Sequence, residues 1–204
     1  MRLLLFAATA AVGAGVGVAA AVRTSHGSNA PTASPAYASW AAGAHRAPTF
    51  SLRDQNGHAL TTAGLRGRVT IVSFIDPVCR NLCPLEAKEL TRVVSDLGSA
   101  APAVVAVSVN PPADTASAFR QDARVWELPR SWRWGVGPAS TLARVWREYA
   151  IGVQVQRKTI AGVTVRDVVH TEAAYVVDAR GDERALFVWP YRAADVERVV
   201  RSLS

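Results

Sequence analysis

The chain has 204 residues, half of them hydrophobic, which is enough for one domain with its own buried core. Its formal net charge is +7 and its pI is about 10.2, a balance that suggests a nucleic acid or an anionic membrane as a partner. The basic residues are nevertheless spread along the chain, with no cationic block and no interleaved aromatic residues, and this pattern argues against nucleic-acid binding.

An apolar run opens the chain, from Leu3 to Val22, between Arg2 and Arg23. A cleaved secretory signal has an apolar core of about 7–15 residues, whereas a membrane anchor needs about 20. The run is long enough for an anchor, but the small residues before Arg23 suit signal peptidase. Residues 1–23 are therefore predicted to be either a signal peptide or an N-terminal membrane anchor. Both alternatives carry the rest of the chain out of the cytoplasm, because no later segment is apolar enough to span a membrane.

Residues 24–46 are small and polar and are interrupted by prolines, which predicts a flexible tether. The folded domain is then expected to comprise residues 47–204. Export changes the meaning of the two cysteines in this domain, because thiols outside the cytoplasm oxidise unless a disulfide or a ligand protects them.

The first half of the domain predicts a hairpin, followed by two buried strands with a helix between them. Alternating apolar residues around Asn56–Gly57 predict the hairpin, and a β-branched run at residues 69–76 predicts a central strand. Apolar residues at helical spacing within residues 84–99 predict a helix, and Gly98 is the signal that ends it. Residues 103–110 form the second predicted buried strand.

The second half of the domain continues the alternation of helices and strands. In chain order the sequence predicts a helix at residues 114–126 with Asp114 as its N-cap, a short strand at 131–137, a helix at 140–150, a hairpin at 154–165, two antiparallel strands within 165–189 and a helix at 192–203. This order indicates an α/β fold with a layered sheet and right-handed crossovers. Sites in such sheets lie where a central strand leads into a helix N-terminus.

Cys79 and Cys83 are the only cysteines of the chain, and they occur at such a junction. Side chains four residues apart share one helical face, and a helix N-terminus favours the thiolate form of cysteine. A thiolate is both a nucleophile for disulfide exchange and a ligand for soft metal ions, so the pair fits either chemistry. A purely structural disulfide between Cys79 and Cys83 closes too short a loop to stabilise the domain much.

A metal site with two thiolates needs a further ligand, and a neutral imidazole suits the soft ions Cu(I) and Zn(II). Of the four histidines, His26 and His45 fall in the predicted tether, and His58 follows the hairpin turn. His170 alone precedes a predicted core strand, which makes it the candidate ligand. The alternative is that His170 only caps that strand.

Four segments of the chain, in order, resemble the Sco/SenC family of copper-binding, thioredoxin-like proteins. They are residues 48–57 (PTFSLRDQNG), 72–86 (VSFIDPVCRNLCPLE), 107–115 (VSVNPPADT) and 168–181 (VVHTEAAYVVDARG). The second segment contains the C-x-x-x-C-P motif of the family, and the fourth contains a histidine before a strand that ends in Asp-x-x-Gly. The combination of this motif with the late histidine makes the resemblance specific.

The resemblance implies a thioredoxin-like α/β fold, in which helices flank a central mixed sheet with an N-terminal β-hairpin and an inserted hairpin. It also implies that Cys79, Cys83 and His170 bind copper, as Cu(I) or Cu(II). The protein is then expected to be extracytoplasmic, either tethered to the cell membrane or secreted.

The function implied by the resemblance is delivery of copper to the binuclear copper centre of cytochrome c oxidase, with the copper-bearing subunit of that oxidase as the partner. The alternative function is that of a thiol–disulfide oxidoreductase, which reduces the cysteines of that centre through a redox-active disulfide between Cys79 and Cys83. Only this alternative would make the protein an enzyme.

Three residues near the proposed ligands depart from the family pattern. Pro77 and Arg80 stand where members often have threonine and proline, and Val169 stands where they usually have aspartate. No ligand is lost, but Val169 removes a side chain that could orient the imidazole, a role that Asp76 or Asp167 could take over. Arg80 adds positive charge between the thiols and is expected to lower their pKa.

Overall fold

The computed structural model of the protein describes residues 36–204. The predicted signal peptide or anchor at residues 1–23 and the tether up to residue 35 lie outside the described residues. Within residues 36–204, none of the helices combines the length and the apolar character that crossing a membrane requires.

The strands and helices alternate along the chain much as the sequence predicts. The strands are β1 (Ala38–Ser39), β2 (Ser51–Arg53), β3 (Ala59–Thr61), β4 (Thr70–Ile75), β5 (Ala103–Ser108), β6 (Trp132–Gly135), β7 (Val153–Ile160), β8 (Val163–His170), β9 (Ala173–Val177) and β10 (Glu183–Val188). The α-helices are α1 (Leu82–Leu97), α2 (Ala116–Val125), α3 (Ala139–Glu148) and α4 (Ala193–Arg201).

A six-stranded mixed sheet in the order β1-β10-β9-β4-β5-β6 forms the centre of the described domain. β4, β5 and β6 are parallel to one another, whereas β9, β10 and β1 pair antiparallel with their neighbours. β4, β5 and β9 are buried along their whole length, as their β-branched sequences require.

Alternate residues of the central strands point to two different cores. In β4, Ile71 packs in a core with α1, α2 and α4, while Val72 packs in a core with α3 and the β2–β3 hairpin. Helices therefore cover both faces of the sheet. The predicted α/β fold with a central mixed sheet is confirmed, together with its N-terminal hairpin, β2–β3, and an inserted hairpin, β7–β8.

The inserted hairpin is longer than the sequence predicts. Its second strand runs to His170, so residues 165–170 pair with β7 and do not begin the next core strand. The alternation of apolar residues continues from β8 towards β9. The sequence pattern therefore does not show that the two strands are separated at residues 171–172.

The prediction that Asp114 caps α2 was wrong. The N-cap is Thr115, whose Oγ1 accepts a hydrogen bond from the N–H of Ala118 at 3.1 Å. The carboxylate of Asp114 instead accepts a hydrogen bond from the Ser108 hydroxyl at 2.5 Å, across the end of β5. Both residues suit an N-cap, and the contact with Ser108 decides between them.

Residues 38–46, which the sequence assigns to the tether, lie against the sheet. β1 pairs with β10, and the Trp40 ring stacks on His45 at a centroid distance of 4.9 Å. His45 Nδ1 lies 2.9 Å from the buried carboxylate of Glu183, and Arg46 pairs with Asp182 at 3.2 Å. The segment therefore covers the edge of the sheet that β10 would otherwise expose.

Candidate metal centre

The loop between β4 and α1 positions both cysteines. The carbonyl of Asp76 accepts a hydrogen bond from the N–H of Cys79 at 3.1 Å, and its carboxylate accepts one from the N–H of Val78 at 3.0 Å. Asn81 then caps α1, so Cys83 lies in the first helical turn and Cys79 lies before it. Asp76 is thus a buried turn residue beside the site.

Cys79 and Cys83 are both free thiols, but they differ in exposure. Cys83 is completely buried, whereas Cys79 is only half-buried and faces a cleft of about 530 Å³. The N–H of Cys83 donates to Sγ of Cys79 at 3.4 Å, and the Cys79 thiol contacts Oδ1 of Asn81 at 2.8 Å. The pair therefore presents one accessible sulfur and one enclosed sulfur.

The surroundings shift the pKa values of the two thiols in opposite directions. The Cys83 thiol donates to the Cys79 sulfur, and this bond, helped by backbone N–H groups of Asn81 and Cys83, lowers the pKa of Cys79 to about 6. The same bond, together with burial, raises the pKa of Cys83. Near neutral pH the metal-free site thus holds a thiolate at Cys79 and a thiol at Cys83.

Arg80 does not act as the sequence predicts. Its guanidinium donates to the carbonyl of Cys79 at 2.7 Å and to the carboxylate of Asp122 at 3.2 Å. The guanidinium of Arg80 thus forms an ion pair with the buried carboxylate of Asp122, which offsets its positive charge. The low pKa of Cys79 instead comes from the Cys83 thiol and from backbone N–H groups.

His170 reaches the cysteines from the end of β8, and its side chain is only 2% exposed. Its Nε2 lies 3.6 Å from Sγ of Cys83, and its Nδ1 lies 3.1 Å from the carbonyl oxygen of Thr171. Because a carbonyl can only accept, this contact places a proton on Nδ1, and Nε2 faces both Sγ of Cys83 and Oε1 of Glu172.

The Thr171 carbonyl thus orients the imidazole, a role that the sequence assigned to Asp76 or Asp167. Asp167 instead pairs with Lys158 across the hairpin, and the carboxylate of Asp76 accepts a hydrogen bond from Asn110. A backbone carbonyl next to a histidine is a common orienting partner, and it compensates for the valine at position 169.

Glu172 is a residue of the site that sequence reasoning missed. Its Oε1 lies 3.2 Å from Nε2 of His170 and 3.8 Å from Sγ of Cys83, and its side chain is 11% exposed. Donor atoms of Cys83, His170 and Glu172 all lie within 4.8 Å of one another. The available signal was an acidic residue directly before a predicted buried strand.

Glu86 lies behind Glu172 and is fully buried in α1. The hydroxyls of Ser73 and Tyr191 donate to its Oε1 at 2.9 and 2.8 Å. Burial and contact with the carboxyl of Glu172 raise the pKa of Glu86 well above its ordinary range, and burial raises that of Glu172 to about 7. Both shifts favour the protonated form of these two carboxyls while no cation is bound beside them.

Cys83 and His170 fit a soft metal ion. Metal–sulfur and metal–nitrogen bonds of roughly 2.3 and 2.0 Å at a tetrahedral angle place the two donor atoms about 3.5 Å apart. The observed separation between Sγ of Cys83 and Nε2 of His170 is 3.6 Å. Cys79 is not part of the cluster of donor atoms formed by Cys83, His170 and Glu172, although its Sγ lies 3.4 Å from the backbone N of Cys83. A movement that brought the Cys79 sulfur into this cluster would give two sulfurs and one imidazole, a donor set that suits copper.

Comparison with known proteins identifies the family. The SCO1/SenC family model matches residues 40–204, and no curated protein sequence matches the chain. ScoI of Bradyrhizobium japonicum, solved with copper bound, is 22% identical with a TM-score of 0.66, and the match covers 78% of this chain and 99% of that chain.

Two further solved structures are similar. A SCO1/SenC family lipoprotein of Bacillus anthracis is 17% identical, with a TM-score of 0.65 and coverage of 78% of this chain and 95% of that chain. BsSco, described as a Sco-family cytochrome c oxidase assembly protein with a disulfide switch, is 17% identical, with a TM-score of 0.62 and coverage of 83% and 98%. These likenesses confirm the thioredoxin-like fold. With most of its length matched by the family model, this chain belongs to the SCO1/SenC family.

Proposed function

We propose that this protein binds copper through Cys79, Cys83 and His170 and delivers it to the binuclear copper centre of cytochrome c oxidase. The observation that carries the proposal is the position of the buried His170 side chain, whose Nε2 lies 3.6 Å from Sγ of Cys83. The copper bound by Bradyrhizobium japonicum ScoI and the oxidase-assembly role of the family of BsSco support it.

Delivery requires that copper, the cargo, can pass from these ligands to ligands of a partner. Cys79 and His170 both line the cleft, but Cys79 is half-buried, whereas the side chain of His170 is only 2% exposed and Cys83 is completely buried. A partner ligand that enters the cleft therefore meets Cys79 first. Exchange at Cys79, followed by Cys83 and His170, is the order that their exposure supports.

The partner in this proposal is the copper-bearing subunit of the oxidase, and the site of action is extracytoplasmic. Residues 1–23 would either tether the protein to the membrane or be removed on secretion. The Bacillus anthracis relative is a lipoprotein, which supports a membrane-attached protein. Nucleic acid has no role in this function.

A titration of the reduced protein with Cu(I) against a competing chelator tests copper binding. We expect one ion per chain in the wild type, and binding weakened by at least about ten- to a hundredfold in His170→Ala, because loss of even an outer-sphere partner costs that much. Cys83→Ala should lose tight binding as well. The control is His58→Ala, since His58 is 76% exposed on the β2–β3 turn. Equal affinity in His170→Ala and His58→Ala would disprove the three-ligand site.

A thiol–disulfide oxidoreductase is the second candidate, and the lowered pKa of Cys79, about 6, favours it. The Cys79 thiolate would attack a partner disulfide, forming a mixed disulfide and releasing one partner thiolate. Cys83 would then lose its proton and attack Cys79, releasing the second partner thiol. The protein ends oxidised, with a Cys79–Cys83 disulfide, and the partner ends reduced. The disulfide switch of BsSco supports this chemistry.

Activity of the His170→Ala variant separates the two functions. Disulfide reduction uses only the cysteines, so the oxidoreductase reading predicts that His170→Ala keeps most of the reductase activity, while Cys79→Ala and Cys83→Ala lose it. If none of the three substitutions changes the rate of disulfide reduction, this second function is wrong.

A further inference from the structure

We propose that Glu172 is a fourth metal ligand, beside Cys79, Cys83 and His170, and that its carboxylate strengthens the binding of divalent ions more than the binding of Cu(I). This inference deepens the proposed copper function and rests on it. The observation behind it is the triangle of donor atoms formed by Sγ of Cys83, Nε2 of His170 and Oε1 of Glu172.

The distances between these three donor atoms match the distances expected between ligands of a single metal ion. Bond lengths of roughly 2.0–2.3 Å at tetrahedral angles place neighbouring donor atoms about 3.3–3.8 Å apart. The observed distances are 3.2 Å from Nε2 of His170 to Oε1 of Glu172, 3.6 Å from Nε2 to Sγ of Cys83, and 3.8 Å from Sγ to Oε1. One ion can therefore contact all three atoms with little movement of the side chains.

The surroundings of the Glu172 carboxyl also favour the binding of a cation. Its carboxyl is nearly buried, and among residues 36–204 no lysine or arginine forms an ion pair with it. Its contacts are instead the Cys83 thiol, the His170 imidazole and the carboxyl of Glu86. Buried carboxylates are normally paired with a positive charge or bound to a metal ion, and a cation bound next to Oε1 would give Glu172 such a partner.

Glu86 supports Glu172 from behind and fixes its direction. Two hydroxyls, from Ser73 in β4 and Tyr191 before α4, hold Oε1 of Glu86. Among the described residues, Oε2 of Glu86 and Oε2 of Glu172 are buried without a hydrogen-bond partner, and the two carboxyls contact each other. This contact leaves Oε1 of Glu172 facing Cys83 and His170. Outer-sphere partners of this kind commonly orient a ligand.

The carboxylate affects the binding of divalent ions more than the binding of Cu(I). Two thiolates and one imidazole are a soft donor set that suits Cu(I). A carboxylate oxygen is a hard, anionic donor, and it stabilises an ion of charge +2 more than an ion of charge +1. Glu172 is thus expected to strengthen the binding of Cu(II) and of other divalent ions, with little gain for Cu(I).

Metal titrations of the reduced full-length chain under anaerobic conditions test this inference. The substitutions are Glu172→Gln, which removes the charge, and Glu172→Asp, which keeps the charge but retracts the oxygen. The matched control is Asp167→Asn, because Asp167 lines the same cleft and pairs with Lys158 outside the donor triangle. The ions are Cu(I), Cu(II) and Co(II), which does not oxidise thiols and whose visible bands report the number of ligands.

If Glu172 is a ligand, Glu172→Gln weakens Cu(II) and Co(II) binding at least about tenfold, weakens Cu(I) binding less than about threefold, and changes the Co(II) bands. Glu172→Asp should show the same spectral change, although its charge is retained. Asp167→Asn should behave like the wild type in every titration.

The inference is overturned if Glu172→Gln matches Asp167→Asn in affinity and spectrum while His170→Ala abolishes copper binding, a result that leaves the copper function intact. Failure of the wild type to bind copper would instead refute the copper function. The Co(II) titration then decides on the fourth ligand alone. Four-coordinate bands that disappear in Glu172→Gln support it, and a wild type without such bands refutes it.

Discussion

At the scale of single residues, the two cysteines of one short motif have different chemical properties. Cys79 lies before the first turn of α1 and accepts hydrogen bonds from backbone N–H groups, so its thiolate is stabilised. Cys83 lies inside that turn, is completely buried and keeps its proton, through which it donates a hydrogen bond to Cys79. The accessible sulfur, at Cys79, is therefore the one in the thiolate form, which can bind a metal ion or attack a disulfide. The sulfur at Cys83 is a buried thiol.

The alkylation rate of Cys79 should show its low pKa. Only the thiolate reacts with iodoacetamide, so the rate should rise through pH 6, the value expected for Cys79, and level off by about pH 7.5. An ordinary cysteine, with a pKa of about 8.5, would still gain reactivity above pH 8. The measurement is the rate of modification against pH, with mass spectrometry identifying the modified residue.

Cys83→Ala is the control for the origin of this shift. The substitution removes the thiol that donates to Cys79, which is the largest contribution to the low pKa. The reactivity profile of Cys79 should therefore move to higher pH. A wild-type midpoint near pH 8.5, or an unchanged profile in Cys83→Ala, would show that this hydrogen bond does not control the reactivity.

At the scale of secondary-structure elements, the inserted hairpin holds a site residue with little support from the core. Most residues of β7 and β8 are exposed, and only Val153 and Val168 near its base pack against the core. His170 lies at the same base, paired in register with Val153. The tip of the hairpin should therefore open locally, with a free energy far below that of global unfolding.

Hydrogen exchange of the hairpin amides tests this prediction. Amides of residues 155–166 should exchange orders of magnitude faster than those of β5, which is buried along its whole length. Addition of Cu(I) to the reduced protein should slow exchange around His170, because a shared ion would link the hairpin to α1. Equal protection of the hairpin tip and β5, measured by mass spectrometry, would contradict the prediction.

At the scale of the whole molecule, residues far apart in sequence complete the sheet and the site. His170 and Cys83 are 87 positions apart, and His45 and Glu183 are 138 positions apart. The first contact closes the candidate metal centre, and the second secures the segment before residue 47 on the edge of the sheet. That segment contributes to stability although its composition is that of a linker.

Removal of residues 36–46 should therefore destabilise the domain. Glu183 is buried, and His45 is the residue that pairs with its carboxylate, so loss of the segment leaves a buried charge without its partner. A chain of residues 47–204 should have a free energy of unfolding at least about 1–3 kcal/mol below that of residues 36–204 in urea denaturation. The substitution His45→Ala in the longer chain should reproduce part of this loss. Identical unfolding midpoints would show that the segment only rests on the surface.

The sequence by itself determined the features that depend on local patterns. Buried β-branched runs specify β4 and β5, and helical spacing that ends at Gly98 specifies α1. The strand-to-helix junction between them places Cys79 and Cys83 without any tertiary information. His170 became the candidate ligand because it alone among the four histidines precedes a predicted core strand, and the resemblance to a family then implied the same residue. The SCO1/SenC assignment confirms that resemblance.

Tertiary structure alone decided the features that depend on contacts between distant segments. The pairing of β1 with β10, the choice of Thr115 over Asp114 as the cap, and the contact of Glu172 with Glu86 all have this origin. Local composition cannot report a partner that lies many residues away, because burial and desolvation act only once the chain has folded. For the same reason the carboxylates beside the candidate metal centre emerged only when β9 and α1 were brought together.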